Sequence, residues 1–243
     1  MLPLLSQLSA AYTERHPNVS FDLLGVGSAG GLELLQRGQA DIALVSRELL
    51  PDEEQDTRSG ARLRNASPVA LDAVAIIVNA RNSVRAMDLH SLRRLFRGQV
   101  ADWSELGGPP NEVCIVSREE GSATRRVFEQ LVMTGYPVTS GAVVMPSSAA
   151  VVSYVAQNEG AVGYVSLGHL GAGTTALQIN DVLPERATIE NGRYPLVRPF
   201  LLATLPTMGA EVTAFVDFAR GPSGLAIVRR LYGDPLPPSQ SQP

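Results

Sequence analysis

Apolar residues along this chain switch between helical and strand-like spacing, and the switching repeats in two blocks. Leu4, Leu5, Leu8, Ala11 and Tyr12 lie on one helical face, so a helix is predicted from Leu4 to Arg15, with Pro17 stopping its continuation. Val19–Leu24 follows as a predicted strand, Gly31–Arg37 as a short helix and Asp41–Ser46 as another strand. Residues 51–64 are charged and irregular and predict a surface helix or loop. Val69–Asn79 is a long β-rich run interrupted by Asp72.

The second block has the same rhythm. Asp88–Phe96 is a capped amphipathic helix ending near Gly98, and Val113–Val116 is a strand. Gly121–Met133 is a helix that turns Val127, Phe128, Leu131 and Val132 to a core. Ser147–Gln157 is a helix started by Pro146 and Ser147, Ala161–Leu167 a strand, and residues 171–174 a glycine-rich loop. Tyr194–Thr204 is a strand, helices are predicted at Ala210–Arg220 and Ser223–Tyr232, and Pro235–Pro243 has the composition of a disordered tail. Strands alternating with helices predict an α/β fold with mostly parallel sheets. The two blocks predict two α/β lobes with a cleft between them, ligands lying at the C-terminal ends of strands.

A length of 243 residues suits one large domain or two smaller ones, and 44% hydrophobic with 18% charged residues is ordinary for a globular protein. The net charge of −4 supplies no basic surface for nucleic acid. All 20 residues in the Lys+Arg count are arginine. A phosphate-binding P-loop with its lysine is therefore excluded, as are Schiff-base and lysine general-base chemistries. Cys114 is the single cysteine, which excludes an internal disulfide and a cysteine metal cluster; in its apolar run it reads as a small buried side chain rather than a reactive thiol. No apolar stretch is long enough to span a membrane, and the first residues carry no signal-peptide pattern.

Candidate chemistry sits in two loops, each of small residues, each following a strand-like run and opening a helix. The first is Gly25-Val26-Gly27-Ser28-Ala29-Gly30-Gly31, with Arg47 just after the next strand; the second is Ser117-Arg118-Glu119-Glu120-Gly121-Ser122-Ala123-Thr124-Arg125. Free N–H groups at a helix start attract anions, and small side chains allow close approach. The first loop also matches the G-x-G-x-x-G pattern of dinucleotide sites, which leaves a nicotinamide enzyme as an alternative, although its helix is short for that role. A tight turn without ligand is a further reading of that loop. In the second, Ser122 and Thr124 offer hydroxyls and Arg118 a planar fork for an oxyanion, restrained by Glu119 or Glu120; a capped surface helix is the plainer reading. His16, His90 and His169 are isolated, so no metal site is expected, and no Ser/His/Asp triad is apparent. Trp103 is expected to anchor a loop by packing, the alternative being an exposed platform.

At these residues the chain resembles the phosphate-binding proteins of bacterial ABC uptake systems, within the type II periplasmic-binding-protein superfamily. The resemblance is carried in order by Gly27–Gly31, Asp41–Arg47, Ala70–Ala75, Leu92–Trp103, Val116–Arg125, Gly160–Leu167 and Ala214–Phe218. It implies two lobes joined by two crossover strands, near Leu71–Ile77 and Gly163–Leu167, with residues 1–72 and 166–243 in one lobe and 73–165 in the other. It implies that Ser28 and Ser46 bind phosphate from the first lobe, and Arg118, Ser122, the Ala123 N–H and Thr124 from the second. Arg47 is implied either as a ligand or as only part of a surface salt bridge. Ser46 stands where larger relatives carry an acid, so Asp72, at a crossover, is implied as the acceptor of the hydrogen-phosphate proton, giving selectivity through an unpaired, buried lone pair. The family pattern has glycine where Ala123 stands, and relatives begin with a strand and a Ser/Thr loop ahead of the helix that starts here at Met1–Pro3. The resemblance further implies no enzymatic activity, no cofactor, a membrane ABC permease as partner, a monomer, and a periplasmic or membrane-anchored extracellular location. A sensory or degenerate module without ligand is the remaining alternative.

Overall fold

The computed structural model describes residues 2–53, 66–206 and 208–235. In chain order the first elements are α1 (Leu2–Thr13), α2 (Gly27–Gln36), β1 (Ala43–Val45), β2 (Ser67–Asn79), β3 (Ala86–Met87) and α3 (Leu89–Phe96). Then come β4 (Cys114–Arg118), α4 (Ala123–Phe128), β5 (Val143–Met145), α5 (Ser148–Gln157) and β6 (Ala161–Ser166). The chain closes with β7 (Thr174–Ala176), β8 (Gln178–Ile179), α6 (Arg186–Glu190), β9 (Val197–Ala203), α7 (Ala210–Arg220) and α8 (Pro222–Val228). A π-helical turn, Glu129–Met133, continues α4. Among the described residues, no helix is long and apolar enough to cross a membrane.

Two compact units divide the chain: Met1–Asp72 with Arg198–Pro243, and Ala73–Val197. The first break agrees with the expected lobe boundary and the second does not. Residues 166–197, expected in the first lobe, fold into the second unit. Their backbone explains it: β7 pairs with β2 at Ile77↔Ala176, β8 pairs with β3, and Tyr194 Oη donates to the Val74 carbonyl at 3.0 Å. The segment expected as the returning crossover, Gly163–Leu167, therefore lies wholly inside the second unit, and the chain changes unit within β9 instead.

In the first unit β1 pairs antiparallel with β9, from Ala43↔Ala203 to Val45↔Leu201. Leu32 and Leu35 of α2 bury one face of this pair against Val45, Leu201 and Ala203. Helix α1 lays Leu4, Leu5, Leu8 and Tyr12 against Phe200, Phe215, Val216 and Tyr232 in a second core. This is the apolar face predicted for that helix.

The expected strand Val19–Leu24 is not part of a ladder among the described residues. Val19, Phe21 and Leu23 still turn to the core, so the alternation that suggested a strand reflects burial on one side without a paired neighbour.

In the second unit β2 pairs antiparallel with β6, which pairs parallel with β4, and β4 pairs parallel with β5. The sheets are thus mixed rather than mostly parallel. Apolar runs such as Val74–Val78 signal burial on both faces but not strand direction. Helix α5 covers β6 and β4 through Val151 and Val155, which meet Val116, Ala161 and Val165. Trp103 is fully buried and donates from Nε1 to the Gly160 carbonyl at 2.9 Å, so it is a packing anchor. Cys114 is half-buried, 3.6 Å from the Tyr154 hydroxyl. Residues 54–64 of the expected charged segment and 236–243 of the expected tail lie outside the described residues.

Candidate functional site

The first loop leaves its extended segment through Gly27, whose φ of 74° is a conformation that favours glycine, and α2 begins there. Ser28 thus falls in the first helical turn. It is buried, and its Oγ accepts the Ser46 N–H at 3.1 Å with the Ser46 hydroxyl 3.4 Å away. Ser46 is the residue after β1. The two expected serines of the first unit therefore meet at one point, beside the first turn of α2. The dinucleotide reading lacks its structural setting, since the segment before the glycines is not a ladder strand.

Arg47 is buried and fully engaged at its Nη atoms. It grips both oxygens of Glu53 at 2.6 Å each and also donates to the Glu48 carbonyl. Of the two roles implied for it, the geometry supplies a salt bridge, buried rather than on the surface.

Asp72 is completely buried, as expected for a selective acceptor, but it is not unpaired. Arg198 donates to its Oδ2 from Nε at 2.8 Å, and Nη2 lies 2.7 Å from the same oxygen. A carboxylate buried in such a place requires a partner, and β9 provides one at Oδ2. Nothing local marks Arg198, because its partner is 126 residues away.

In the second unit, β4 carries Ser117 and Arg118 to its C-terminal end. Ser117 Oγ and Tyr164 Oη are 2.8 Å apart, and Tyr164 Oη accepts the Arg118 N–H at 3.2 Å. The Tyr164 ring stacks on Phe128 at 4.1 Å, and burial raises its phenol pKa. The backbone at Arg118 is held from inside the core. The side chain is held as well: Nε and Nη2 each donate 2.8 Å to Glu119, and Nη1 donates 2.9 Å to Ser148 Oγ. Burial pushes the Glu119 carboxyl up, but the Arg118 hydrogen bond and charge outweigh it, and its pKa is lowered. Ser148, at the first turn of α5, was not picked out from the sequence. A Ser-Ser pair after Pro146 is an ordinary helix start, and its nearness to Arg118 arises only from the β4–β5 pairing.

Ser122 caps α4, its Oγ accepting the Arg125 N–H at 3.2 Å, with Ala123 and Thr124 in the first turn. Ser122 and Thr124 are buried. Arg125 closes the turn, donating from Nη1 to the Arg118 carbonyl at 2.9 Å and from Nε to Glu129 at 2.7 Å. The hydrogen bond to Glu129 raises the Arg125 pKa, so this guanidinium stays charged. The structure thus brings together Arg118, Ser122, Ala123 and Thr124 in one turn, and Ser28 with Ser46 in another. Both places offer hydroxyls, and the second a guanidinium, groups that suit an oxyanion. Among the described residues, no group of His, Cys, Asp and Glu is arranged to hold a metal ion.

A family model described as "PBP superfamily domain" matches residues 1–222. A structure of a phosphate ABC transporter substrate-binding protein from Clostridium perfringens, with bound phosphate, is similar at 27% identity and a TM-score of 0.88, covering 97% of this chain and 95% of that one. An ABC-type phosphate transport receptor from Vibrio cholerae is 31% identical with a TM-score of 0.77, covering 97% and 96%. The phosphate-binding protein PstS of Bacillus subtilis is 27% identical over 197 residues, 81% of this chain; the match spans 64% of the Bacillus protein's length.

Proposed function

The chain belongs to the PBP superfamily, and on that footing we propose that it is a solute-binding protein for inorganic phosphate. It captures the anion, leaves it chemically unchanged and delivers it to a membrane ABC permease. It works as a monomer at the outer side of the membrane, in a periplasm or anchored to the cell surface. Ser28 and Ser46 bind from the first unit. Arg118, Ser122, the Ala123 N–H and Thr124 bind from the second. Asp72 acts through Arg198, whose charge it offsets. The names of its relatives support the choice of ligand.

The observation that carries this reading is the Arg118 turn. A buried guanidinium is fixed by Glu119 and Ser148, and the turn that follows it in the chain carries the buried Ser122 and Thr124 at the start of α4. Donors arranged in advance replace the water around an oxyanion without reorganising, which is what tight capture requires. Truncation of one partner in a buried charged contact costs about 2–5 kcal/mol. Arg118→Ala is expected to weaken phosphate binding by that amount in calorimetry. Binding within about threefold of wild type would remove Arg118 from the site, being well under the bottom of that range.

A further inference from the structure

Resting on the phosphate reading above, we propose that Arg198 is a further anion-holding residue, its buried Nη1 donating to the bound oxyanion while Asp72 holds the opposite edge of the guanidinium. The described residues include three buried arginines, Arg47, Arg118 and Arg198. In the first two, both Nη atoms donate to protein acceptors. Arg198 differs. It is 3% exposed, its Nε and Nη2 both serve Asp72 Oδ2, and its Nη1 is buried with no hydrogen-bond partner among the described residues. A guanidinium nitrogen is a donor only, so what completes it must be an acceptor. An orphaned charged donor in a protein interior calls for a functional explanation.

Its place in the first unit supplies one. The β1–β9 ladder ends at Val45↔Leu201, and Ser46 is the first residue beyond it. The Arg198 guanidinium lies over the Phe200 ring, 5.4 Å from its centroid. The orphaned nitrogen is thus carried on the strand that borders Ser46, whose N–H in turn donates to Ser28 Oγ. Asp72 keeps the guanidinium side-on and offsets its charge, leaving hydrogen-bonding capacity rather than bare charge for the guest. A small tetrahedral oxyanion fits this need.

Three variants test it, with inorganic phosphate as probe, calorimetry as readout and unliganded melting as control. Arg198→Lys keeps a cation opposite Asp72 but lacks the second nitrogen, and is expected to melt near wild type and bind phosphate at least tenfold more weakly. Asp72→Asn leaves Arg198 uncompensated and is expected to bind phosphate at least as tightly as wild type, with a larger phosphate-induced rise in melting temperature. A purely structural pair would move both variants in the same direction. Arg198→Lys binding within threefold of wild type, or Asp72→Asn losing as much affinity as Arg198→Lys, overturns the proposal. Loss of binding in Arg118→Ala, run alongside, would in that case leave the phosphate reading standing. A wild-type protein unresponsive to millimolar phosphate overturns both. Arg198→Lys alone decides the question if Asp72→Asn does not fold.

Discussion

Each buried arginine of the described chain lies against a carboxylate: Arg47 against Glu53, Arg118 against Glu119 and Arg198 against Asp72. A chain without lysine meets the cost of burying cations by pairing, and the pairing fixes where each fork points. For Arg118 the consequence is measurable. Burial raises the Glu119 pKa, yet the Arg118 hydrogen bond and charge bring it below the ordinary 4.5. A carboxylate with a depressed folded pKa adds stability above its unfolded value, and that stability disappears as pH falls through the folded one. Wild type is therefore expected to lose stability as pH drops below the ordinary glutamate value, and Glu119→Gln to lose less over the same interval. The Glu119 side chain is 41% exposed, so the difference is modest and shrinks in high salt. Melting curves on both sides of that interval check it; parallel slopes for the two proteins would separate Glu119 from acid stability.

At the scale of elements, the packing of α5 depends on Gly163. A Cβ built there would come 2.7 Å from Val151 Cγ1 and 3.4 Å from both Val116 Cβ and Val155 Cγ2. Val151 is β-branched and stiff in a helix, so the helix itself must shift. Gly163→Ala is expected to destabilise the second unit by about 1–3 kcal/mol, as overpacking generally does. Val151→Ala in the same chain should recover part of that loss. Urea unfolding of the single and double variants measures it, and simple additivity would contradict the contact.

The same packing shows what a sequence discloses. Asp88 before α3 and Ser147 before α5 each accept the expected N–H, at Ser91 and Ala150, because a cap is chemistry within four residues. The apolar stripe of α1 and the long β2 run were legible for the same local reason. Strand direction was not, nor were the three-residue strands β5 and β7, whose identity comes from partners far along the chain. The site divides along the same line. Ser28, Arg118 and Ser122 announce themselves in short loops and Ser46 only through the family resemblance, whereas Ser148 reaches Arg118 across 30 residues and Arg198 reaches Asp72 across 126. The partner of Asp72 is not legible locally because sheet register sets it.

For the molecule as a whole, the function proposed above has groups from each unit serving one guest. Ser28 belongs to the unit that includes Asp72, and Ser122 to the unit that begins at Ala73. Residues without shared partners contribute additively, while residues bound to a common third body do not. Phosphate affinity of Ser28→Ala, Ser122→Ala and the double variant therefore forms a direct test. If both hydroxyls serve one bound anion, losing the first lets the guest relax, and the second loss is smaller than it is in wild type. The expected coupling is about 0.5–3 kcal/mol, the span found for groups in one network. Apo melting temperatures should still add, because Ser28 works locally with Ser46 and Ser122 with Arg125. Coupling in affinity with additivity in stability is a pattern that two separate anion sites cannot produce. Additive losses in both quantities would mean that the units bind independently, and capture by their joint action would have to be abandoned.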